Sequence, residues 1–151
     1  MDWRTLFFSF RGRLNRGKYW LAFLIGAAIS AVCIIILAPL LNGLQTGIYG
    51  ESDGVMAVIA LMVVVLIVIF CSSLALAFKR LHDRNKSGVW LLLFWLTPSV
   101  LNAIGQSMGN GGGAFVALVG AALAIWGLVE IGFLKGTTGP NDYGPDPVGP
   151  S

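Results

Sequence analysis

The residues able to do chemistry fall into three groups. The first is basic: Arg11, Arg13 and Arg16 precede a long apolar run, and Arg80 and Arg84 flank His82 and Asp83 between two others. Guanidinium forks suit phosphate, and basic residues beside a bilayer attract anionic lipid at about 1 kcal/mol each. These seven residues therefore form a candidate surface for anionic headgroups or a protein partner. The competing reading is that the charges only fix orientation in a membrane, with Asp83, Asp142 and Asp146 neutralising some of them. His82 and Asp83 are adjacent, so on a helix they point in different directions and make no acid–base pair. One histidine with no cysteine nearby is a poor metal site, because zinc needs three or four ligands. Both residues are expected to order a tight turn, with Ser87 capping the next helix. The alternative is a pH- or headgroup-sensing cluster with the arginines.

The second group is a lone carboxylate. Glu130 is the single charge in the apolar stretch 114–134. An ionisable group inside a membrane helix is costly, which makes it a functional candidate. Glu130 sits only about 6 Å from the end of its helix, however. There an ion pair with Lys79, Arg80 or an N-terminal arginine competes with a proton- or ion-handling role. Ala117, Ala121, Ala124 and Gly127 lead up to it at helical spacing. Such a small-residue stripe lets helices approach and turns Glu130 toward the bundle. The third group is Pro98 with Ser99, Asn102 and Gln106. Proline favours a kink, and the three polar residues share one helix face. They line a path for a small solute or hydrogen-bond between helices.

Nothing else rises to a reaction. The glycines of 109–113 lack the Lys-Ser/Thr end of a phosphate loop, and no nucleophile–base set or zinc motif is present. Cys33 and Cys71 fall at different depths and are expected to be free thiols. The expectation is a non-enzyme without metal or cofactor.

What must position these residues is a membrane domain. The chain has 151 residues, 56% hydrophobic and 11% charged, with a mean hydropathy of +0.81. Soluble domains carry about 25% charged residues, so a cytosolic enzyme, a disordered tail and a nucleic-acid-binding module are all excluded. Four apolar stretches, about 19–41, 55–78, 89–108 and 114–134, are each long enough to cross about 30 Å of hydrocarbon. In lipid every backbone polar group must be satisfied locally, so these are helices. All 10 basic residues lie before the first stretch, between the second and third, or after the fourth. The positive-inside rule then places both termini and the middle loop in the cytoplasm.

The expected fold is an all-α integral membrane protein, four transmembrane helices in a bundle. Residues 1–18 form a cytoplasmic interfacial segment, 19–134 the membrane domain, and 135–151 an irregular Pro/Gly-rich tail. Trp3, Leu6, Phe7 and Phe10 share the apolar face of a short interfacial helix. Tyr19, Trp20 and Trp90 are placed as aromatic anchors.

Three basic-side segments read together: FSFRGRLNRGKYW at 8–20, FKRLHDRNKSGVW at 78–90, and GTTGPNDYGPDP at 136–147. They resemble the marks of the bacterial family called Domain of Unknown Function 805. Those marks are an F-x-G-R-x-x-R-x-x-[YF]-W entry, an R-R-L-H-D loop ending in S-G-W, and a G-x-N-x-[YF]-G-x-[DN]-P tail. Lys79 stands where the family often has arginine, and Val89 intervenes before Trp90. The resemblance implies a multi-pass protein of the bacterial inner membrane and brings no reaction, substrate or cofactor. The leading expectation is a protein whose cap of Arg11, Arg13, Arg16, Arg80, His82, Asp83 and Arg84 binds anionic lipid or a partner. The alternative is an oligomeric small-solute or ion transporter using Pro98, Ser99, Asn102, Gln106 and Glu130.

Overall fold

A computed structural model describes residues 3–49, 53–108 and 110–149, and among them every regular element is helical. The order is α1 (Trp3–Phe8), α2 (Arg16–Gln45), α3 (Asp53–Asp83), a π turn (Leu92–Leu96), α4 (Thr97–Met108), α5 (Asn110–Leu128) and a second π turn (Val129–Phe133). Among the described residues three helical segments are long and apolar enough to cross a membrane: Arg16–Gln45, Gly54–Asp83 and Gly111–Phe133. The third expected stretch does not form one uninterrupted α-helix. Pro98 has no N–H to donate, and the turn before it widens: Thr97 N–H donates to the Leu92 carbonyl, five residues back.

The chain ends its helices by local chemistry. Asn15 caps α2, its side chain accepting from Lys18 N–H at 2.9 Å. At the end of α3, Lys86 N–H donates to Leu81 and Asn85 N–H to His82, with Asn85 at φ 55. This is a Schellman close with asparagine in the left-handed position. Lys79, Arg80, His82 and Asp83 therefore belong to the last turns of α3 and not to the loop expected from the sequence. Ser87 contributes its carbonyl, which accepts from Trp90 N–H at 3.2 Å, and no bond from its hydroxyl is seen among the described residues.

The elements pair as two hairpins, α2 with α3 and α4 with α5. In the second hairpin the backbones nearly touch: a Cβ on Gly113 would stand 2.2 Å from the Gly105 carbonyl oxygen, and one on Gly105 would stand 2.7 Å from that of Gly113. Gly120 lies against Pro98, and Gly127 against Phe94. The buried face of α5 and its π turn thus runs through Gly113, Gly120, Gly127 and Glu130, while Ala121 and Ala124 are exposed. The small-residue stripe is real but rotated from the expected one.

The backbones of the two hairpins meet at the Val129–Phe133 π turn, which touches both α2 and α3. The buried core sits at this basic end, where Ala77, Leu81, Leu91, Phe94 and Ile131 form one cluster. Leu14, Ala22 and Leu76 form a second, on which Leu6 and Phe7 of α1 pack. Phe10 lies beyond α1 and meets Phe78 edge-on, with ring centroids 5.3 Å apart. The Trp3 side chain lies outside the described residues.

Candidate functional site at the basic end

The site is built around Asp83, at the last position of α3. One carboxylate oxygen accepts from Arg13 Nε at 3.1 Å, and the other accepts from Arg80 at 2.5 Å. All three side chains are at most 4% exposed. Charges removed from water this far are tolerated only when every donor finds an acceptor, and here they do. Arg13 donates from Nη1 to the Gly139 carbonyl at 2.6 Å and from Nη2 to that of Thr137 at 2.6 Å. Arg80 donates through Nε to the Ile131 carbonyl at 2.8 Å and through Nη2 to that of Leu134.

These acceptors explain why arginine is needed. The last carbonyls of a helix have no partner within it. At the end of the Val129–Phe133 turn the carbonyls of Ile131 and of the capping Leu134 go to Arg80, and that of Gly132 goes to Trp20 Nε1 at 2.9 Å. A lysine could not span two carbonyls and a carboxylate at fixed angles, whereas the guanidinium plane does. Lys79 has a simpler role. Its buried ammonium donates to the carbonyls of Thr5 and Leu6 and so holds α1 to α3.

The tail folds back over this node. Thr137 N–H donates to the Asp83 carbonyl at 2.8 Å, and Asn141 Nδ2 donates to that of His82 at 2.9 Å. Tyr143 stacks on the His82 ring, with centroids 4.0 Å apart and planes within 5°. His82 Nδ1 lies 3.3 Å from the Gly12 carbonyl. Gly136 permits the approach, because a Cβ there would fall 2.0 Å from an Asp83 oxygen. At the far end Asp146 accepts from the backbone N–H groups of Val148 and Gly139, which hold its carboxyl below the ordinary aspartate range.

Glu130 has other partners than those expected. Its Oε1 accepts from Arg84 at 3.0 Å and from Lys86 at 2.9 Å, and not from Lys79 or Arg80. Lys86 also stands 4.6 Å over the Trp90 ring. The seven basic-end candidates therefore divide: Arg13, Arg80 and Asp83 are a buried node, His82 joins the tail, Arg84 holds Glu130, and Arg11 and Arg16 are exposed.

The other candidate group is not brought to this site. Pro98 is buried against α5, but Ser99, Asn102 and Gln106 are exposed on α4, and Ser99 bonds back to the Trp95 carbonyl at 3.0 Å. Cys33 and Cys71 are both free. Among the described residues no cluster of three metal-ligating side chains occurs. Sequence reasoning missed Lys79 as the anchor of α1 and Gly105, Gly113 and Gly136 as contact points. The signals in the sequence for a defined cap are Gly12 within Arg-Gly-Arg and the Gly-Pro-Asn run at 139–141.

The fold and site define a helical membrane-type protein closed at one end by an ion-paired node that joins the N-terminal segment, α3 and the tail. The chain belongs to the family described as "Protein of unknown function (DUF805)", whose model matches residues 7–145. It is 31% identical over 140 residues to the inner membrane protein YhaI of Escherichia coli strain K12, covering 92% of this chain and 86% of that one. It is 29% identical over 151 residues to the inner membrane protein YhaH of the same strain, covering 97% of each. No solved structure matches it.

Proposed function

We propose that this chain is a non-enzymatic, four-span protein of the bacterial inner membrane whose cytoplasmic cap binds anionic lipid headgroups. Support for the fourth span is the antiparallel run of residues 90–108 along α5, from Phe94 beside Gly127 to Gly105 beside Gly113. A segment coextensive with an apolar helix of spanning length crosses with it. On this reading both termini are cytoplasmic, residues 1–18 lie at the interface, 19–134 form the membrane domain, and 135–151 close the cap.

The observation that carries the lipid reading is the division of the basic residues. Arg13 and Arg80 are consumed by the node, which gives the cap a fixed shape. Arg11, Arg16 and Lys18 are exposed beside it, and among the described residues no carboxylate pairs with them. Arg16 and Lys18 stand within two turns of Tyr19 and Trp20, where a headgroup layer would lie. Three such charges contribute about 1 kcal/mol each toward anionic lipid.

The test is native mass spectrometry of the purified protein in a mild detergent, with phosphatidylglycerol and phosphatidylcholine supplied. Wild type should retain the anionic lipid, and the combined Arg11→Gln, Arg16→Gln, Lys18→Gln variant should lose it with an unchanged melting temperature. Equal retention by both proteins refutes the reading, and a protein retained instead would make that partner the ligand of the cap. Within one chain Ser99, Asn102 and Gln106 are exposed on α4, so the oligomeric-transport alternative needs a second copy to line its path, and it is the second choice.

A further inference from the structure

Beside the buried node lies an open cavity of about 470 Å³, walled by the start of α2 on one side and the returning tail on the other. Two cations border it. Arg16 makes one long contact, 3.5 Å to the Phe133 carbonyl, and Lys135 pairs with no carboxylate among the described residues. Thr138 lies on the same wall, and neither its hydroxyl nor its backbone N–H is bonded within the described residues. The Gly136 N–H is likewise unbonded within them.

Two carboxylates also border the cavity, and both are already committed. Asp83 is held between Arg13 and Arg80, and each oxygen of Asp146 accepts a backbone N–H. Asp146 keeps one negative charge, but the Asp83 charge is outweighed by its two arginines, so with Arg16 and Lys135 the cavity is net cationic, next to free N–H and O–H donors. Donors of this kind around a cationic concavity match a tetrahedral oxyanion, which offers acceptors in several directions. The walls are set in advance because Arg13 fixes the tail carbonyls of Thr137 and Gly139.

We propose that this cavity is a phosphate-group site, with Arg16 and Lys135 supplying charge and the 136–138 segment supplying hydrogen bonds. It deepens the headgroup-binding reading by assigning one built site to one phosphate, and it rests on that reading where the phosphate is a lipid's. Free phosphate is the other source of the same chemistry.

The full chain in a zwitterionic detergent would be titrated with inorganic phosphate by equilibrium dialysis. It would be titrated separately with phosphatidylglycerol and phosphatidylcholine by native mass spectrometry. Lys135→Gln and Arg16→Gln should each weaken phosphate-group binding by about fivefold, the equivalent of one interfacial charge. Thr138→Val should weaken it less, and all three variants should melt as wild type does. Binding of inorganic phosphate with these losses assigns a soluble ligand. Binding of phosphatidylglycerol alone with these losses assigns a lipid headgroup.

The site is overturned if wild type binds neither probe, or if the variants bind as wild type does. Should Lys135→Gln and Thr138→Val retain both inorganic phosphate and phosphatidylglycerol fully while the Arg11, Arg16, Lys18 variant loses the lipid, the site falls and the headgroup reading stands. Should wild type bind phosphate but no anionic lipid, the headgroup reading falls and the site stands.

Discussion

Arg13 and Asp83 are 70 residues apart in sequence and make a buried ion pair at 3.1 Å, with the second oxygen of the same carboxylate on Arg80. Replacing Asp83 by Asn keeps the shape and removes the charge that two buried guanidinium groups share. Breaking a buried pair in this way costs about 3–5 kcal/mol, since the stranded cations remain out of water. Asp83→Asn should lower the melting temperature sharply and expose the tail to protease. Arg11→Gln, at an exposed position, should change stability by no more than about 0.5 kcal/mol.

Much of this is legible in the chain, and what is not has physical reasons. Apolar length and the clustering of basic residues indicate membrane helices and a shared basic end, because both follow from lipid alone. The role of each arginine is a different matter. Arg11 and Arg13 are two positions apart with the same chemistry, yet one is exposed and the other buried. The difference is made by the Gly139 and Thr137 carbonyls of a tail more than a hundred residues away. Alanine spacing finds the buried face of α5 only in part: Ala117 packs on Gly105 and Gly127 on Phe94, but Ala121 and Ala124 are exposed, and the closest backbone contact falls at Gly113, which tolerates only glycine. The depth of Glu130 near the basic end also suggests the wrong cations for it. Helix α3 continues through Asp83 and carries Lys79 and Arg80 away to other partners.

The glycine contact in the second hairpin gives a second prediction. Gly113→Ala places a methyl carbon 2.2 Å from the Gly105 carbonyl, so α4 and α5 must separate. Overpacking of this kind costs about 1–3 kcal/mol. Gly111→Ala, two residues earlier with nothing within 4 Å of its Cβ position, is the control. Thermal melts in detergent should show a loss for Gly113→Ala and none for Gly111→Ala.

The tail should be acid-sensitive through Asp146. Its carboxyl is held low by N–H groups of Val148 and Gly139, so the folded state favours the ionised form. A depressed pKa contributes stability that is fully present above the unfolded value of about 3.9 and is lost as pH falls through the folded value. Hydrogen exchange of the tail peptides, corrected for intrinsic rate, should therefore show the Asp146 step only in that region, well below the range at about pH 6.5 in which an ordinary imidazole such as that of His82, stacked on Tyr143, gains its charge. Protection should then fall below it. In Asp146→Ala the tail should be less protected at neutral pH, and the acid step should disappear.

Glu130 decides between the structural and the transport readings. It is 4% exposed and bonded to Arg84 and Lys86, whose side chains are about a quarter exposed. Unlike the Asp83 node, this cluster leaves its cations able to take up water when the carboxylate is neutralised. Glu130→Gln should then cost about 1–3 kcal/mol, the loss of charge-assisted bonds without a stranded buried cation. Lys86 should stay over Trp90, so indole fluorescence changes little. In liposomes under a proton gradient, wild type and Glu130→Gln should leak equally and slowly. The order of the two readings would reverse if wild type carried a proton flux that Glu130→Gln abolished while melting within a few degrees of wild type. A pin that only holds helices together carries no current.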